Sequence, residues 1–371
     1  MKKKYLALLL SLCMLIGALA GCTSTAGSAQ TEEPDSPLST DLASPTVSET
    51  DTSEELLFGV CMFDMANTFT SYIRKGIESY IADKNIFVEV VDAANDMTKQ
   101  IEQCQTFIKK GVNGLIVFPC DTGGIINIIE LAKDADIPVI FVDKKPEQSD
   151  LESYDKCFYV GLDASQSGAM QSELVISSYK ANPDWDLNGD GILQYVLLRG
   201  DMGDIDAELR TAAIQDGFEA ANIAVDELDN QVAFWDTTKA KEVCDTWIVK
   251  YGDKMEMVIC NNDAMALGVV ESLRSAGYFT DNKYIPVFGV NAIPDILDFI
   301  EDGTVAGTVL SDPYSEAKAT VDLLLNLNAG KEPLAETSWE FTTPHVIEIG
   351  NLPISATQNL DIARETYRNC L

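Results

Sequence analysis

The sequence predicts an α/β protein in which mostly parallel sheets, wound by helices on both faces, are divided between two lobes. Three observations carry this. Apolar runs of strand length alternate with amphipathic segments of helical length, the pattern of a parallel sheet covered on both sides. Gly and Pro punctuate the joins between them. The stretch that shows this pattern, roughly 315 residues, also exceeds the size at which a single core usually splits.

In chain order, LLFGVCMF precedes a helical stretch over 70–84, IFVEVVDA precedes one over 97–110, and GLIVF precedes one over 124–136. The scheme then repeats. IPVIFVD, CFYVGL, LQYVLLRG, MVICN, IPVFGV and VAGTVL are the remaining strand candidates, each followed by a helix or a loop leading into one.

The N-terminus has a different character. Lys2, Lys3 and Lys4 precede an apolar run shorter than the ~20 residues a membrane span needs, and small residues follow before a cysteine. This reads as an export signal over 1–21. Leu19-Ala20-Gly21-Cys22 resembles the lipobox of bacterial lipoproteins, which implies cleavage before Cys22 and its lipidation. Residues 22–55 are rich in Ser, Thr, Pro, Asp and Glu, a composition that buries too little apolar surface to offset the entropy of ordering, and they read as a tether. The expected location is the extracellular face of the cytoplasmic membrane, or the periplasm.

Charge narrows the partners. With 59 acidic against 26 basic residues the net charge is −33, which repels phosphate backbones and argues against nucleic acid. Beyond Cys13 and Cys22, the remaining cysteines form an odd set without CxxC spacing and read as small buried hydrophobes rather than a disulfide framework.

One stretch, WDLNGDGILQYVLLRG, opens like an EF-hand calcium loop. Asp186, Asn188 and Asp190 occupy positions 1, 3 and 5, Gly191 position 6 and Gln194 position 9, yet Leu197 stands where a bidentate Glu belongs. A polar turn rich in Asn, Asp and Gly accounts for the same residues without metal unless a carboxylate arrives from elsewhere.

Ligands of doubly wound folds bind beyond the carboxyl ends of the strands. Polar and aromatic residues gather there: Asn67 and Phe69 after the first strand, Asp206 and Arg210 after LQYVLLRG, Trp235 and Asp236 in FWD, Asn262 and Asp263 after MVIC, and Asn291 after FGV. Each Asp or Asn could instead cap a helix, and for Asp263, before AMALGVVESL, capping is the preferred reading. Together they supply aromatic faces, amides, a carboxylate and a guanidinium, the groups that cover a sugar's C–H faces and pair its hydroxyls.

RKGIE, KKGVNGL, IPVIF, SYDKCFYVG, WDLNGDGILQYVLLRG, DAELRT, FWDTTKAK, VICNNDAMALGVVESL, IPVFGVNAIP and VAGTVLSD, in that order, resemble the periplasmic galactose/glucose-binding proteins of ABC transport. The resemblance runs from Leu57 to about Gly350 and implies the type I periplasmic binding fold, two doubly wound parallel-sheet lobes joined by three hinge crossings near Ile137, Pro313 and Ile347. The lobes expected are 56–137 with 313–346, and 138–312 with 347–371. It also implies that the calcium loop is completed by Glu256, so that Ca2+ takes Asp186, Asn188, Asp190, the carbonyl of Ile192, Gln194 and Glu256.

For the sugar, the resemblance implies that Phe69 and Trp235 sandwich a pyranose while Asp206, Arg210 and Asn262 clamp it. Other matching positions depart from the family: Asn67 and Asn291 stand for Asp, Asp204 for His, Phe118 and Ser311 for Asn, and Phe63 for Tyr. An Asn offers one acceptor and one donor group where Asp offers only acceptors, so each exchange alters the hydroxyl pattern satisfied. The implied function is capture of a galactose- or glucose-like monosaccharide by hinge closure and delivery, as a monomer, to an ABC permease. Presentation to a sensor kinase or chemoreceptor is the alternative. Enzymatic readings are disfavoured: the one histidine, His345, is remote from the strand-end cluster, and GxSxG, HExxH and P-loop motifs are absent. A transcription regulator would need a basic helix-turn-helix where the signal and acidic tether stand.

Overall fold

The computed structural model describes residues 55–280 and 283–371. The expected signal, Cys22 and all but the last residue of the expected tether lie outside them. No helix among the described residues is long and apolar enough to cross a membrane.

The first half of the chain alternates strand and helix: β1 (Leu56–Met62), α1 (Thr68–Ile81), β2 (Ile86–Asp92), α2 (Met97–Lys110), β3 (Gly114–Val117), α3 (Ile125–Asp134), β4 (Val139–Val142), the short α4 (Gln148–Leu151) and β5 (Cys157–Leu162). There follow α5 (Ala164–Ala181), β6 (Leu193–Arg199), α6 (Ile205–Ala220), β7 (Val225–Val232), α7 (Thr237–Tyr251), β8 (Met257–Cys260), α8 (Asp263–Ser275), β9 (Val287–Phe288), α9 (Pro294–Glu301) and β10 (Thr308–Leu310). The chain ends with α10 (Pro313–Asn328), β11 (Val346–Ile349), β12 (Leu352–Ile354) and α11 (Leu360–Arg368). The first three helices fall close to the expected ranges. α1 starts two residues early because Asn67 caps it, accepting from the Thr70 N–H at 3.1 Å.

Two parallel sheets result. One has strand order β11-β5-β4-β3-β1-β2, the other β7-β6-β8-β9, and β10 pairs antiparallel with β12. Each sheet is packed on both faces because alternate side chains of its central strands point opposite ways. In β1, Phe58, Val60 and Met62 join Ile73 and Ile77 of α1 and Val321 of α10, whereas Cys61 joins Phe107 of α2 and Ile128 of α3. In β6, Val196 and Leu198 face Trp247 and Val269, and Tyr195 and Leu197 face Ile214 and Phe218. The seven cysteines among the described residues are free, and six are buried.

The lobe boundaries differ from those expected. β4 pairs with β3 and β5, and β5 with β11, all parallel within the first sheet. Crossover α3 returns the chain beside β3 instead of carrying it away, as a βαβ unit does. The first crossing therefore lies at Leu162–Asp163, not near Ile137, and α5 beyond it packs on α6 of the second lobe. The chain comes back at Asp312–Pro313, where α10 settles against α1. Because β11 also belongs to the first sheet, the last crossing lies at 350–351, just past the expected Ile347. The lobes are accordingly 56–162 with 313–349, and 163–312 with 350–371.

Candidate functional site: a cleft between the lobes

The carboxyl ends of the parallel strands converge on a cleft, where ligands of doubly wound folds bind. Eight of the ten expected ligand residues line it: Asn67, Phe69, Asp204, Asp206, Arg210, Trp235, Asn262 and Asn291. Four further residues line it too: Phe63, Asp143, Lys144 and Asp201. Phe63 is the position where the resemblance implies Tyr. Asp143 and Lys144 directly follow IPVIFV and Asp201 follows LQYVLLRG, so the rule that points to strand ends applies to them equally.

Phe118 and Ser311 are corrections. Both are wholly buried. The Phe118 N–H still extends the strand ladder, donating to Cys61 O at 2.9 Å, and its ring packs in the core cluster that also holds Phe63 and Phe69. Ser311 Oγ accepts from Asn291 Nδ2 at 3.2 Å and so holds a cleft residue without entering the cleft.

Several cleft residues also start helices, which fixes which of their atoms face a ligand. Asn67 Oδ1 is committed to the cap of α1, and Asn262 Oδ1 accepts from Met265 N–H at 2.9 Å to cap α8. Their Nδ2 groups remain as donors. Asn291 is the reverse, with Nδ2 committed and Oδ1 available as an acceptor. Asp204 Oδ1 accepts from the N–H groups of Asp206 and Ala207 at the start of α6. Asp263 is not the cap of α8, contrary to the reading preferred from sequence. It is buried and accepts from Thr308 Oγ1 at 2.7 Å and Ile293 N–H at 3.1 Å, and burial pushes its carboxyl up to about 7.

Arg210 is positioned by its surroundings. Its Nε donates to Ser167 Oγ at 3.1 Å and Nη1 to Asn261 O at 3.0 Å, leaving Nη2 3.8 Å from Asp206. Its guanidinium lies 5.7 Å from the Trp235 ring centroid. Trp235 and Phe234 both have left-handed backbones, at φ 59° and 56°. Such a conformation costs of order 1–3 kcal/mol per bulky residue and persists where the surroundings impose it. Ala233 N–H to Arg199 O and Asp236 N–H to Ala233 O, each 2.9 Å, hold this turn. The indole lies so close over Gly200 that a Cβ there would come within 2.0 Å of its ring.

Burial shapes the carboxylates. It raises Asp143 to about 7, reinforced by Asp206 and Asp204 and opposed by Lys144. It raises Asp206 to about 6 against the pull of Arg210, and raises Asp201 as well. The cleft thus presents aromatic surface, amide donors and carboxylate acceptors. His345 is stacked on Phe158, 4.8 Å between centroids, away from these groups.

The expected calcium residues come together at the other end of β6. Glu256, 1% exposed, accepts from the N–H groups of Leu187 at 2.7 Å and Gln194 at 3.0 Å, which ties the loop to the residue before β8. Asp186 accepts from Gly189 and Gly191, and Asp190 from Ile192. Asn188 Nδ2 donates to Gln194 Oε1 at 3.1 Å, and Gln194 Nε2 to Asp190 Oδ2 at 3.1 Å. Among the described residues no three His, Cys, Asp or Glu side chains converge as a metal group on their own. A hard cation would therefore need the two amide oxygens and the Ile192 carbonyl as well. Turning each amide about its last torsion would replace a donor by an acceptor and give the all-oxygen set that a hard cation takes.

Comparison with known proteins agrees with this geometry. The model of the periplasmic binding protein domain matches residues 58–332. The D-galactose/methyl-galactoside binding periplasmic protein MglB of Haemophilus influenzae is 37% identical over 76% of this chain and 84% of its own length. The ribose import binding protein RbsB of Bacillus subtilis is 28% identical over 75% and 84%. An ABC transporter solute binding protein from Bacillus halodurans, solved with myo-inositol, superposes with TM-score 0.70 at 23% identity, covering 86% of this chain and all of its own. The chain belongs to the periplasmic binding protein family, in its type I α/β form.

Proposed function

We propose that the protein captures a monosaccharide-sized polyol in the cleft by closure of the two lobes and passes it to an ABC permease. The observation that carries this is the convergence, from both lobes, of aromatic faces and polar groups on one cleft. Phe63, Phe69 and Asn67 come from the first lobe, and Asp206, Arg210, Trp235, Asn262 and Asn291 from the second. A ligand touching both lobes binds the closed form better than the open one, which is the differential affinity that closure requires. The names of the relatives support a sugar-like ligand: galactose for MglB, ribose for RbsB, myo-inositol for the Bacillus halodurans protein. As a binding protein and not an enzyme, it releases its ligand unchanged.

Lipidation at Cys22 would hold the protein at the membrane beside the permease. At the far end of β6, Asp186, Asn188, Asp190, the Ile192 carbonyl, Gln194 and Glu256 would hold Ca2+, whose charge would offset repulsion among the three carboxylates. Differential scanning fluorimetry against a monosaccharide and cyclitol panel tests the main reading, because a ligand of the folded state raises the melting temperature with occupancy. A panel in which no member shifts the transition, with calcium present, would sink it.

A further inference from the structure

Six charged side chains line the cleft, the carboxylates Asp143, Asp201, Asp204 and Asp206 and the cations Lys144 and Arg210. The two signs do not balance. Lys144 lies 3.6 Å from Asp204, and Arg210, with Nε and Nη1 committed to Ser167 and Asn261, reaches Asp206 only at 3.8 Å. Among the described residues, the Asp143 and Asp201 carboxylates have neither an ion pair nor a hydrogen bond. On α10, Glu316 is wholly buried, and both its carboxyl oxygens lack a partner among the described residues. Its carboxyl is held well above the usual range by burial first, then by the charges of Asp143, Asp312 and Asp206. Burial and mutual repulsion thus favour the protonated form of Glu316, while along the cleft itself four carboxyl groups face two cations, in surroundings that strengthen electrostatics.

Resting on the saccharide reading, we infer that the cleft selects a positively charged ligand, an amino sugar or aminocyclitol whose ammonium enters the space bordered by Asp143 and Asp206. Asp143 comes from the end of β4 in the first lobe and Asp206 from α6 in the second, so one ammonium there draws the lobes together. A neutral sugar gives these carboxyls hydroxyl donors but no charge, so it does nothing to offset the repulsion between Asp143 and Asp206. An ammonium supplies three donors and the missing charge together. The aromatic faces of Phe63, Phe69 and Trp235 argue against a bare metal ion, which has no use for them, and suit an organic cation with apolar C–H surface.

Isothermal titration of the full-length protein at pH 7 against matched pairs tests this: glucose with glucosamine, galactose with galactosamine, myo-inositol with its monoamine, and N-acetylglucosamine as an uncharged amine derivative. The expected result is that at least one amine binds about tenfold or more tightly than its neutral partner, and that Asp143→Asn reduces this preference to about threefold or less. Asp206→Asn serves the same purpose should Asp143→Asn fail to fold. Neutral members binding as tightly as their amines in every pair that binds overturn the inference and leave the saccharide reading standing. Absence of binding by every member overturns both.

Discussion

Lys144 Nζ lies 3.6 Å from Asp204 Oδ2, an ion pair that spans the cleft, since Lys144 follows β4 of the first lobe and Asp204 caps α6 of the second. Both side chains are mostly buried, at 18% and 9% exposure, so salt screens the pair less than a surface one. Lys144 is held in place by a 3.1 Å hydrogen bond to Cys120 O and lies 4.8 Å from the Phe63 ring centroid. Asp204→Asn keeps the helix cap, because Asn caps as well as Asp, and removes only the charge. It should weaken ligand affinity two- to tenfold, about 0.5–1.5 kcal/mol, while lowering the melting temperature little. Equal affinities in wild type and variant would show that the pair does not help hold the lobes closed.

Gly200 governs the sandwich without touching a ligand. A Cβ at this position would meet the Trp235 ring at 2.0 Å, so Gly200→Ala must displace the indole from its place beside Arg210. Losing a well-placed aromatic face costs about 1–2 kcal/mol, so affinity should fall roughly tenfold in Gly200→Ala and at least as far in Trp235→Ala. Tryptophan emission should change on ligand addition in wild type and much less in Trp235→Phe. An unchanged affinity in Gly200→Ala would place the indole outside the binding surface.

How much of this was legible beforehand depended on which kind of signal a residue carries. The alternation of strand and helix is written in apolar periodicity, and strand ends are where that periodicity breaks, so Asn67, Phe69, Arg210, Trp235, Asn262 and Asn291 could be placed from sequence. Asp143 and Lys144 follow a strand in the same way, so the strand-end rule reaches them whichever lobe β4 is given to. Phe118 failed for a geometric reason: one residue past β3 the ladder continues, and its ring still points into the core. Asn262 and Asp263 are chemically equivalent as cap candidates. Only the packing of Asp263 against Thr308 and Ile293 separates them. The left-handed backbone at Phe234 and Trp235 has no sequence signature at all, since propensity disfavours bulky residues there.

The raised carboxyls make the unliganded protein more stable in mild acid. Asp143 and Asp263 are pushed up to about 7 and Asp206 to about 6, in each case mainly by burial, against about 3.9 in an unfolded chain. Between those values the folded state binds more protons than the unfolded state, so unfolding free energy falls as pH rises. The contribution is fully present below the unfolded value and is lost as pH climbs through the folded ones. The melting temperature of the unliganded protein should therefore rise by a few degrees, about 2–4 °C per kcal/mol, as pH drops from about 8 to about 5. Asp143→Asn should raise it at pH 8 and flatten the slope. A melting temperature that falls steadily over this window would show that these groups are not buried as ionised carboxylates.

Glu256 ties the Asp186–Gln194 loop to the start of β8 through two backbone N–H groups, and burial pushes its carboxyl up against the pull of those hydrogen bonds. Two causes of stability are thus mixed in one side chain, and two substitutions separate them. Glu256→Ala removes both the hydrogen bonds and the charge, leaving the Leu187 and Gln194 donors unpaired at a cost of about 1–3 kcal/mol each with no metal involved. Glu256→Gln keeps an acceptor oxygen and removes only the charge that a hard cation prefers. If calcium binds there, adding it to EDTA-treated wild type should raise the melting temperature, and both variants should lose most of that rise. If the loop is a metal-free polar turn, EDTA will leave wild type unchanged, and Glu256→Ala will lower the melting temperature by the same amount with or without calcium.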